Sequence, residues 1–233
     1  MTRVRGIIFD KDGTLFDFSR TWEAWAATFL QRLTSDPDQA QSIGKAIGFN
    51  VAAQRFNADS VVIAGTPMEV AQALADALPH LPFEDVVRLI NEEAERAPQV
   101  EAVPLLPLLT ELLAQDVRLA VVTNDAEASA HAHLRAAGVS SHFDFVAGCD
   151  SGFGAKPEPG QLVACVESFG LSPSEVLMVG DSTHDLIAAN ALGMRSVGVL
   201  TGMAEHVTLA PLATAVLPDI GHLPAWLAGT TKP

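Results

Sequence analysis

The sequence predicts an α/β protein: a Rossmann-like parallel sheet with helices on both faces, plus an inserted all-helical domain. The sheet is predicted because short apolar strands alternate with helices after Pro104, and one further strand of this kind opens the chain. The insertion is predicted because strand signals almost vanish between that first strand and Pro104, while apolar residues recur at helical spacing. The predicted boundaries are 1–16 and 104–233 for the sheet domain and 17–103 for the inserted cap domain.

The composition is that of a folded protein, since 48% of the 233 residues are apolar and 18% are charged. A formal net charge of −14 argues against a nucleic-acid-binding surface, which is usually basic. No apolar run approaches the ~20 residues of a membrane helix, and the N-terminus has no signal-peptide pattern. The two cysteines, Cys149 and Cys165, are expected to be ordinary reduced thiols. We therefore expect a soluble, cytoplasmic protein without nucleic-acid or membrane partners.

The first strand, from Val4 to Phe9, is followed by the inserted region, where several helices are predicted. One amphipathic stripe consists of Trp22, Trp25, Ala26, Phe29, Leu30 and Leu33. The pair Asp36-Pro37 is typical of a helix start, and Thr66-Pro67-Met68-Glu69 is a capping box that begins a helix through Leu78. A further helix is predicted from Phe83 to Ala97.

In the sheet domain, strands and helices are predicted to alternate. Strands are expected at 117–122, 143–146, 176–179 and 196–200. Helices are expected up to Ala137 after the first of these strands, and at 159–169 and 183–192. The tail after Leu217 is expected to be a loosely tied surface segment.

Polar residues stand at the ends of three predicted strands: Asp10, Thr123 and Asp181. In an open parallel sheet, ligands bind beyond the carboxyl ends of the strands, so these residues are expected to meet at one crevice. Asp12 adds a second carboxylate on the same side as Asp10. Two carboxylates ~4 Å apart repel by ~4 kcal/mol at an effective dielectric of ~20, so the pair needs a cation or a shared proton.

A plain turn before Gly13 is the alternative interpretation of Asp10 and Asp12. An EF-hand calcium loop is excluded, because it wants Asp or Asn at position 14, Gly at 15 and Glu at 21, whereas Thr14, Leu15 and Thr21 stand there.

A second acidic cluster, from Gly180 to Asp185, follows an apolar strand and opens a helix. Helix capping would explain one of its two aspartates. Asp181 and Asp185 together, on either side of a Ser-Thr-His loop, are better explained by metal binding. An all-oxygen ligand set favours a hard cation, most simply Mg²⁺.

Two further elements could bind an anion. Thr123-Asn124 supplies a hydroxyl, an amide and backbone N–H groups at a helix start, which suits a phosphate oxygen. Lys156 lies in a Gly/Pro loop, where a lysine is by itself more typical of a solvated surface charge; its importance depends on the other elements.

Together these residues resemble the haloacid dehalogenase superfamily of aspartate-nucleophile phosphohydrolases, in particular the phosphoglycolate-phosphatase-like branch with a helical (C1-type) cap. The segment from Asp10 to Leu15 resembles the first family motif, Thr123-Asn124 the second, Lys156-Pro157 the third, and Gly180 to Asp185 the fourth. The motifs occur in order, each in the expected strand or loop context, and the resemblance covers almost the whole chain.

The resemblance implies a Mg²⁺-dependent phosphomonoesterase acting on a small phosphorylated metabolite, with 2-phosphoglycolate as the leading single substrate. It implies that Asp10 attacks phosphorus and that Asp12 serves as general acid and then base. Mg²⁺ would lie between Asp10, the backbone carbonyl of Asp12 and Asp181, with Asp185 in support.

By the same resemblance, Thr123, the Asn124 backbone and Lys156 would hold the phosphoryl oxygens. The helical insertion would close over the crevice and supply the residues that read the substrate. Four polar residues of the insertion are candidates for reading the substrate, although each is more typical of an ordinary solvated position: Arg20, Lys45, Asn50 and Arg55.

The chain departs from the family pattern at Lys11, because the residue between the two aspartates is usually aliphatic. The lysine could select an anionic substrate or pair with a nearby acid. His184, in the fourth motif, is expected to be a surface or hydrogen-bonding residue.

Other activities of the same fold are less consistent with the sequence. A dehalogenase or a phosphonate hydrolase would lack the aspartate at position 12. A phosphosugar mutase remains an alternative, although the linker from Phe16 to Ser19 lacks the histidine of those enzymes. A non-catalytic binding module is the alternative from another class, and the intact set of Asp10, Asp12, Lys156 and Asp181 argues against it.

Overall fold

The computed structural model of the chain describes residues 2–230. Its first strand, β1 (Gly6–Phe9), is fully buried. Successive side chains of a strand point to opposite faces of the sheet, so Ile7 packs in a cluster with Leu109 and Ile8 in a separate cluster with Leu162. Apolar cores on both faces explain why this strand is apolar throughout.

The segment after β1 forms four helices and a short hairpin. In chain order these are α1 (Phe18–Leu33), α2 (Pro37–Ala46), β2 (Phe49–Asn50), β3 (Arg55–Phe56), α3 (Pro67–Leu74) and α4 (Phe83–Arg96). β2 and β3 pair in the antiparallel sense, with Phe49 opposite Phe56. The hairpin was not predicted, because each of its strands is only two residues long. We call this segment, 17–103, the cap.

Both predicted helix starts in the cap are confirmed. The Asp36 side chain accepts a hydrogen bond from the N–H two residues later, at 3.0 Å, as an N-cap does. Thr66 and Glu69 form the capping box, in which each side chain accepts from the other's backbone N–H. The helix that follows ends at Leu74, earlier than predicted.

The cap has an apolar core of its own. Trp22, Trp25 and Phe29 on α1 are buried in a cluster that also contains Val70 of α3 and Ile90 of α4. The predicted stripe of apolar residues on α1 therefore faces the interior of the cap.

The remaining elements build the sheet domain. In chain order they are α5 (Leu105–Leu113), β4 (Arg118–Val122), α6 (Glu127–Ala136), β5 (Phe145–Ala147), α7 (Gly160–Phe169), β6 (Val176–Gly180), α8 (Thr183–Ala191), β7 (Arg195–Val199), α9 (His206–Leu209), β8 (Ala215–Leu217) and α10 (Leu223–Thr230). The sheet is parallel, in the order β5-β4-β1-β6-β7-β8. The predicted α/β architecture, with its parallel sheet between helices, is confirmed.

The register of the sheet determines where the functional side chains meet. Phe9 of β1 lies opposite Val121 of β4 on one side and Val179 of β6 on the other. The three central strands therefore end at the same level. The strand order reverses at β1, which places the crevice of an open α/β sheet beyond its carboxyl end.

The prediction of a loosely tied tail after Leu217 was wrong. Ile220 and Leu223 are fully buried and Leu227 is almost so, in the cluster that also holds Leu109 of α5. These residues recur at helical spacing and cover one face of the sheet. The sequence signal was obscured by the prolines and glycines around them.

Cys149 and Cys165 are both free thiols, as expected. Within residues 2–230, the helices are too short or too polar to cross a bilayer.

Candidate active site

One pocket between the sheet domain and the cap collects every predicted site residue. It is lined by Asp10, Asp12, Thr123, Asn124, Lys156, Asp181 and Asp185. Asp10 leaves β1, Thr123 leaves β4 and Asp181 leaves β6, so the common level of the strand ends brings them together. Lys156 and Asp185 are added by the loop before α7 and the first turn of α8.

Lys156 joins two of the strand ends through its ammonium group. Its Nζ lies 2.6 Å from Asp10 Oδ1, 2.6 Å from Asp185 Oδ1 and 2.9 Å from the Val122 carbonyl oxygen. Burial by itself would lower the pKa of Lys156, but the two carboxylates outweigh it and hold that pKa above its ordinary value. The lysine is therefore a buried counter-ion and not a solvated surface charge.

Three carboxylates lie close enough to share one cation. Asp10, Asp181 and Asp185 are all buried, and each offers an oxygen within 4.8 Å of the others'. Burial is the main reason why the pKa of Asp10 is raised to about 7. The charge of Lys156 lowers this pKa, whereas the charges of Asp185 and Asp12 raise it further. Burial, followed by the charges of Asp10 and Asp185, also raises the pKa of Asp181. A single lysine leaves this cluster short of positive charge, and carboxylate oxygens suit a hard divalent cation.

The helix-capping interpretation of the fourth motif is confirmed for one oxygen of Asp185, and metal binding stays a prediction. Oδ2 accepts hydrogen bonds from the Ser182 N–H at 3.0 Å and the Ser182 hydroxyl at 2.8 Å, and so caps α8. Oδ1 faces Lys156. The helix cap thus positions a carboxylate of the acidic cluster.

Two glycines leave the space that the Asp181 carboxylate occupies. A Cβ on Gly13, whose φ is +78°, or on Gly202 would overlap the Asp181 carboxylate. The loop of Gly202 is held to the first motif, because the Thr201 hydroxyl donates to the Gly13 carbonyl oxygen at 2.6 Å. Backbone from two loops can approach the carboxylate only because neither residue has a side chain.

Lys11 pairs with acids, which is one of the two roles expected for it. Its Nζ, which is fully buried, lies 2.8 Å from Asp12 Oδ2 and 3.0 Å from Asp125 Oδ2. Burial would lower the pKa of Lys11, but these carboxylates outweigh that effect and raise it. The ammonium also lies 5.5 Å from the centre of the Trp22 ring. The charge of Lys11 is therefore matched by Asp12 and Asp125.

His133 completes the surroundings of Lys11 and connects them to the cap. The Lys11 Nζ lies 2.9 Å from His133 Nδ1, and His133 Nε2 lies 2.7 Å from the Ala94 carbonyl oxygen of α4. Burial and then the charge of Lys11 lower the pKa of His133 to about 4, so the ring is neutral near pH 7. Since the ammonium can only donate, Nδ1 accepts and Nε2–H donates to the cap.

Asn124 connects β4, the Lys156 loop and the cap. Its side-chain amide donates to the Ala64 carbonyl oxygen of the cap and to the Lys156 carbonyl oxygen, both at 2.8 Å, and accepts from the Lys156 N–H at 2.9 Å. His184 Nδ1 also lies 3.3 Å from the Ala64 oxygen. The Asn124 side chain thus holds these three segments together, and the contact of its backbone to phosphate stays a prediction.

The polar cap residues considered from the sequence lie outside the pocket: Arg20, Lys45, Asn50 and Arg55 are all exposed. The cap instead contributes Trp22, Pro67, Val70, Ile90 and Ala94 together with the loop 62–65. Sequence reasoning missed these residues because apolar side chains carry no chemical signal. It also missed Asp125 and His133; the position of Asp125 directly after the second motif was an available signal.

Comparisons with known proteins find similar sequences that cover most of the chain. A family model described as haloacid dehalogenase-like hydrolase matches residues 7–199. A phosphoglycolate phosphatase of Pectobacterium atrosepticum is 31% identical over 95% of this chain and 94% of its own length. A probable phosphatase, IndB, of Dickeya dadantii is 32% identical over 87% of this chain and 83% of its own length.

The fold is shared with solved structures as well. A predicted phosphoglycolate phosphatase from Haemophilus somnus superimposes with a TM-score of 0.71 at 23% sequence identity, covering 97% of this chain and 99% of its own. The predicted enzyme class, a phosphatase, is confirmed by curated relatives that carry that name and span nearly the whole chain. The chain therefore belongs to the haloacid dehalogenase-like hydrolase family.

Proposed function

We propose that the protein is a Mg²⁺-dependent phosphomonoesterase that works through an aspartyl-phosphate on Asp10. The observation that supports this most is the placement of Asp10: it ends the central strand, Lys156 binds it at 2.6 Å, and Asp12 follows two residues later in the same pocket. A buried carboxylate held in this way is a suitable nucleophile toward phosphorus, because its orientation is set and its counter-ion is in contact.

In the proposed reaction, a carboxylate oxygen of Asp10 forms a bond to phosphorus while the bond from phosphorus to the ester oxygen breaks. The leaving alkoxide takes a proton from the Asp12 carboxyl group. Asp12, now ionised, removes a proton from a water molecule that attacks the aspartyl-phosphate, which releases inorganic phosphate and restores Asp10.

The residues that would hold Mg²⁺ are Asp10, the backbone carbonyl of Asp12, and Asp181, with Asp185 in support. The three clustered carboxylates and their shortage of positive charge fit a divalent cation. Bound there, Mg²⁺ would neutralise the nucleophile and the phosphoryl oxygens, so that one anion can approach another.

The remaining phosphoryl oxygens would be held by Thr123, the Asn124 backbone and Lys156. Thr123 is kept at the end of β4 by two contacts: its hydroxyl accepts from the Asp125 N–H at 3.1 Å, and its carbonyl oxygen accepts from the Gln161 amide at 3.0 Å. We propose a small phosphorylated metabolite as the substrate, with 2-phosphoglycolate as the first compound to assay, since several relatives are named for it.

The test is phosphate release from a panel of small phosphate esters, including 2-phosphoglycolate and phosphosugars, with Mg²⁺ and with EDTA. We expect release that needs Mg²⁺ and disappears in the Asp10→Asn variant. Lys156→Met should lose less activity than Asp10→Asn, because the metal retains part of the charge stabilisation. Release unaffected by EDTA or by Asp10→Asn would contradict the proposal, and conversion between phosphosugar isomers without release would favour a mutase.

A further inference from the structure

The cap wall of the active-site pocket differs sharply from its floor. The floor, from the sheet domain, carries the carboxylates, Lys156 and the strand-end hydroxyl. The cap wall consists of apolar side chains and loop backbone: Trp22, Val62, Ile63, Ala64, Gly65, Pro67, Val70, Ile90 and Ala94. A phosphate group on the floor would therefore direct the organic part of the ester toward an apolar wall.

A second anionic group on the substrate would find no counter-ion on this wall. Among the described residues that line the pocket, Lys156 is the only lysine or arginine, and it is already bound to Asp10 and Asp185. Lys11 lies behind the pocket with no exposed surface and is bound to Asp12 and Asp125.

The charge balance of the pocket points the same way. Five aspartates line the pocket, and Asp12 carries a proton when it serves as the proposed general acid. The other four aspartates against the ammonium groups of Lys156 and Lys11 leave two formal negative charges. A divalent cation would neutralise these two charges, and a phosphate monoester dianion would return the count to two. A carboxylate on the substrate would be a third negative charge, and burying an unpaired ion is strongly unfavourable.

His184 is the remaining basic side chain of the pocket. Its Nδ1 lies 3.3 Å from the Ala64 carbonyl oxygen, on the side where the cap meets α8. It also lines the neighbouring groove beside Thr183 and Met203, so it stands at the edge of the pocket and not on the cap wall.

We infer that the substrate is the phosphate monoester of a small uncharged alcohol, whose organic group packs against the cap wall. This inference rests on the proposed phosphomonoesterase function and narrows it. It also predicts that 2-phosphoglycolate, which carries a carboxylate, is a poor substrate.

The kinetic test compares phosphate esters whose organic groups differ in charge. 2-Phosphoglycolate is assayed with Mg²⁺ beside 2-phosphoglycolamide, in which a neutral amide replaces the carboxylate, and propyl phosphate, whose organic group is apolar. We expect kcat/KM for the carboxylate to be at least about 100-fold below that for the amide, the effect of a charge entering a site without a counter-ion. Equal or higher kcat/KM for 2-phosphoglycolate would overturn the inference while leaving the phosphatase intact.

A binding measurement separates this inference from the proposed function. Calorimetry with the wild-type protein and Mg²⁺ compares 3-phosphonopropionate with its amide, neither of which can be hydrolysed. Tighter binding of the amide supports a substrate whose organic group is uncharged, even if no ester on the panel were turned over. Absence of turnover would count against the proposed phosphatase and not against this inference. Tighter binding of the acid, or no binding of either compound, overturns the inference.

Variants of the wall test its chemistry directly. Ile63→Arg adds a cation to the wall and should raise kcat/KM for 2-phosphoglycolate at least tenfold relative to propyl phosphate, whereas Ile63→Met should leave that ratio unchanged. An unchanged ratio in Ile63→Arg would contradict the inference that this wall lacks a counter-ion for a substrate carboxylate.

Discussion

The Lys11 ammonium lies 2.9 Å from Asp12 Oδ1 and 2.8 Å from Asp12 Oδ2. Both oxygens of the second aspartate are therefore held by the residue that precedes it, from a position with no exposure to solvent. The same ammonium contacts Asp125 and His133, and His133 contacts the cap. Where the family pattern has an aliphatic side chain, this chain has a buried charge that is compensated by its surroundings.

We expect Lys11→Met to destabilise the protein, because it leaves Asp12 and Asp125 buried without their counter-ion. Removing one partner of a buried ion pair typically costs ~3–5 kcal/mol. The free energy of unfolding from urea titrations at pH 7.5 measures the loss. Lys45→Met is the control, since Lys45 is exposed on α2 and should change stability by less than ~0.5 kcal/mol. Equal losses for the two variants would contradict the ion-pair assignment.

We expect Asp10 to make the metal-free protein less stable as the pH rises toward neutrality, against the contribution of His133, whose lowered pKa of about 4 adds stability as the pH rises to about 6.5. The pKa of Asp10 is about 7 in the folded protein and near 3.9 in an unfolded chain, so the folded state keeps a proton that the unfolded state releases. The contribution of this group is fully present below about pH 4 and is lost as the pH rises through about 7. Because the raised pKa of Asp181 acts in the same direction, the decrease should amount to a few kcal/mol.

Unfolding titrations in EDTA from pH 4.5 to 8 test this dependence. Asp10→Asn should flatten the curve, since it removes the titrating group. Saturating Mg²⁺ should stabilise the protein most at the high end of the range, where the carboxylates are ionised. A pH dependence in EDTA that is the same for the wild type and for Asp10→Asn would show that the pKa of Asp10 is not raised.

We expect Gly202→Ala to weaken Mg²⁺ binding. The added Cβ would overlap the Asp181 carboxylate, which must move away from Asp10 and Asp185. Isothermal titration should show an affinity at least about tenfold lower, a change of ~1.4 kcal/mol. Gly229→Ala is the control, because a Cβ at Gly229 meets no atom of another segment within 4 Å among residues 2–230. An unchanged Mg²⁺ affinity in Gly202→Ala would contradict the assignment of Asp181 as a metal ligand.

We expect Leu223→Ala to destabilise the protein by ~2–5 kcal/mol, because Leu223 is fully buried at the start of α10. Val207→Ala is the comparison at an exposed site, 72% accessible, where a change below ~0.5 kcal/mol is expected. The difference in urea midpoint between the two variants measures how firmly the C-terminal segment is packed. If both variants unfold at the wild-type midpoint, the tail does not belong to the core.

The fold and the polar floor of the site could be predicted from the sequence because both follow from local patterns. Apolar strands followed by Asp10, Thr123 and Asp181 imply a parallel sheet, and the carboxyl ends of parallel strands share one edge. Helical periodicity and capping residues likewise marked most of the cap helices. The hairpin of β2 and β3, α5 and β8 were missed, since two or three residues of strand, or a leucine-rich run interrupted by Pro107, show no clear period.

The sequence by itself determined which side chains stand at the strand ends, and hence the polar chemistry that the site can hold. Only the tertiary structure decided what surrounds them. His133 is 122 residues from Lys11, and the wall around Trp22 and Ile63 is assembled from separate cap elements. The physical reason is the range of the interactions: strand and helix periods depend on neighbouring residues, whereas ion pairing, burial and pocket shape depend on how distant segments pack.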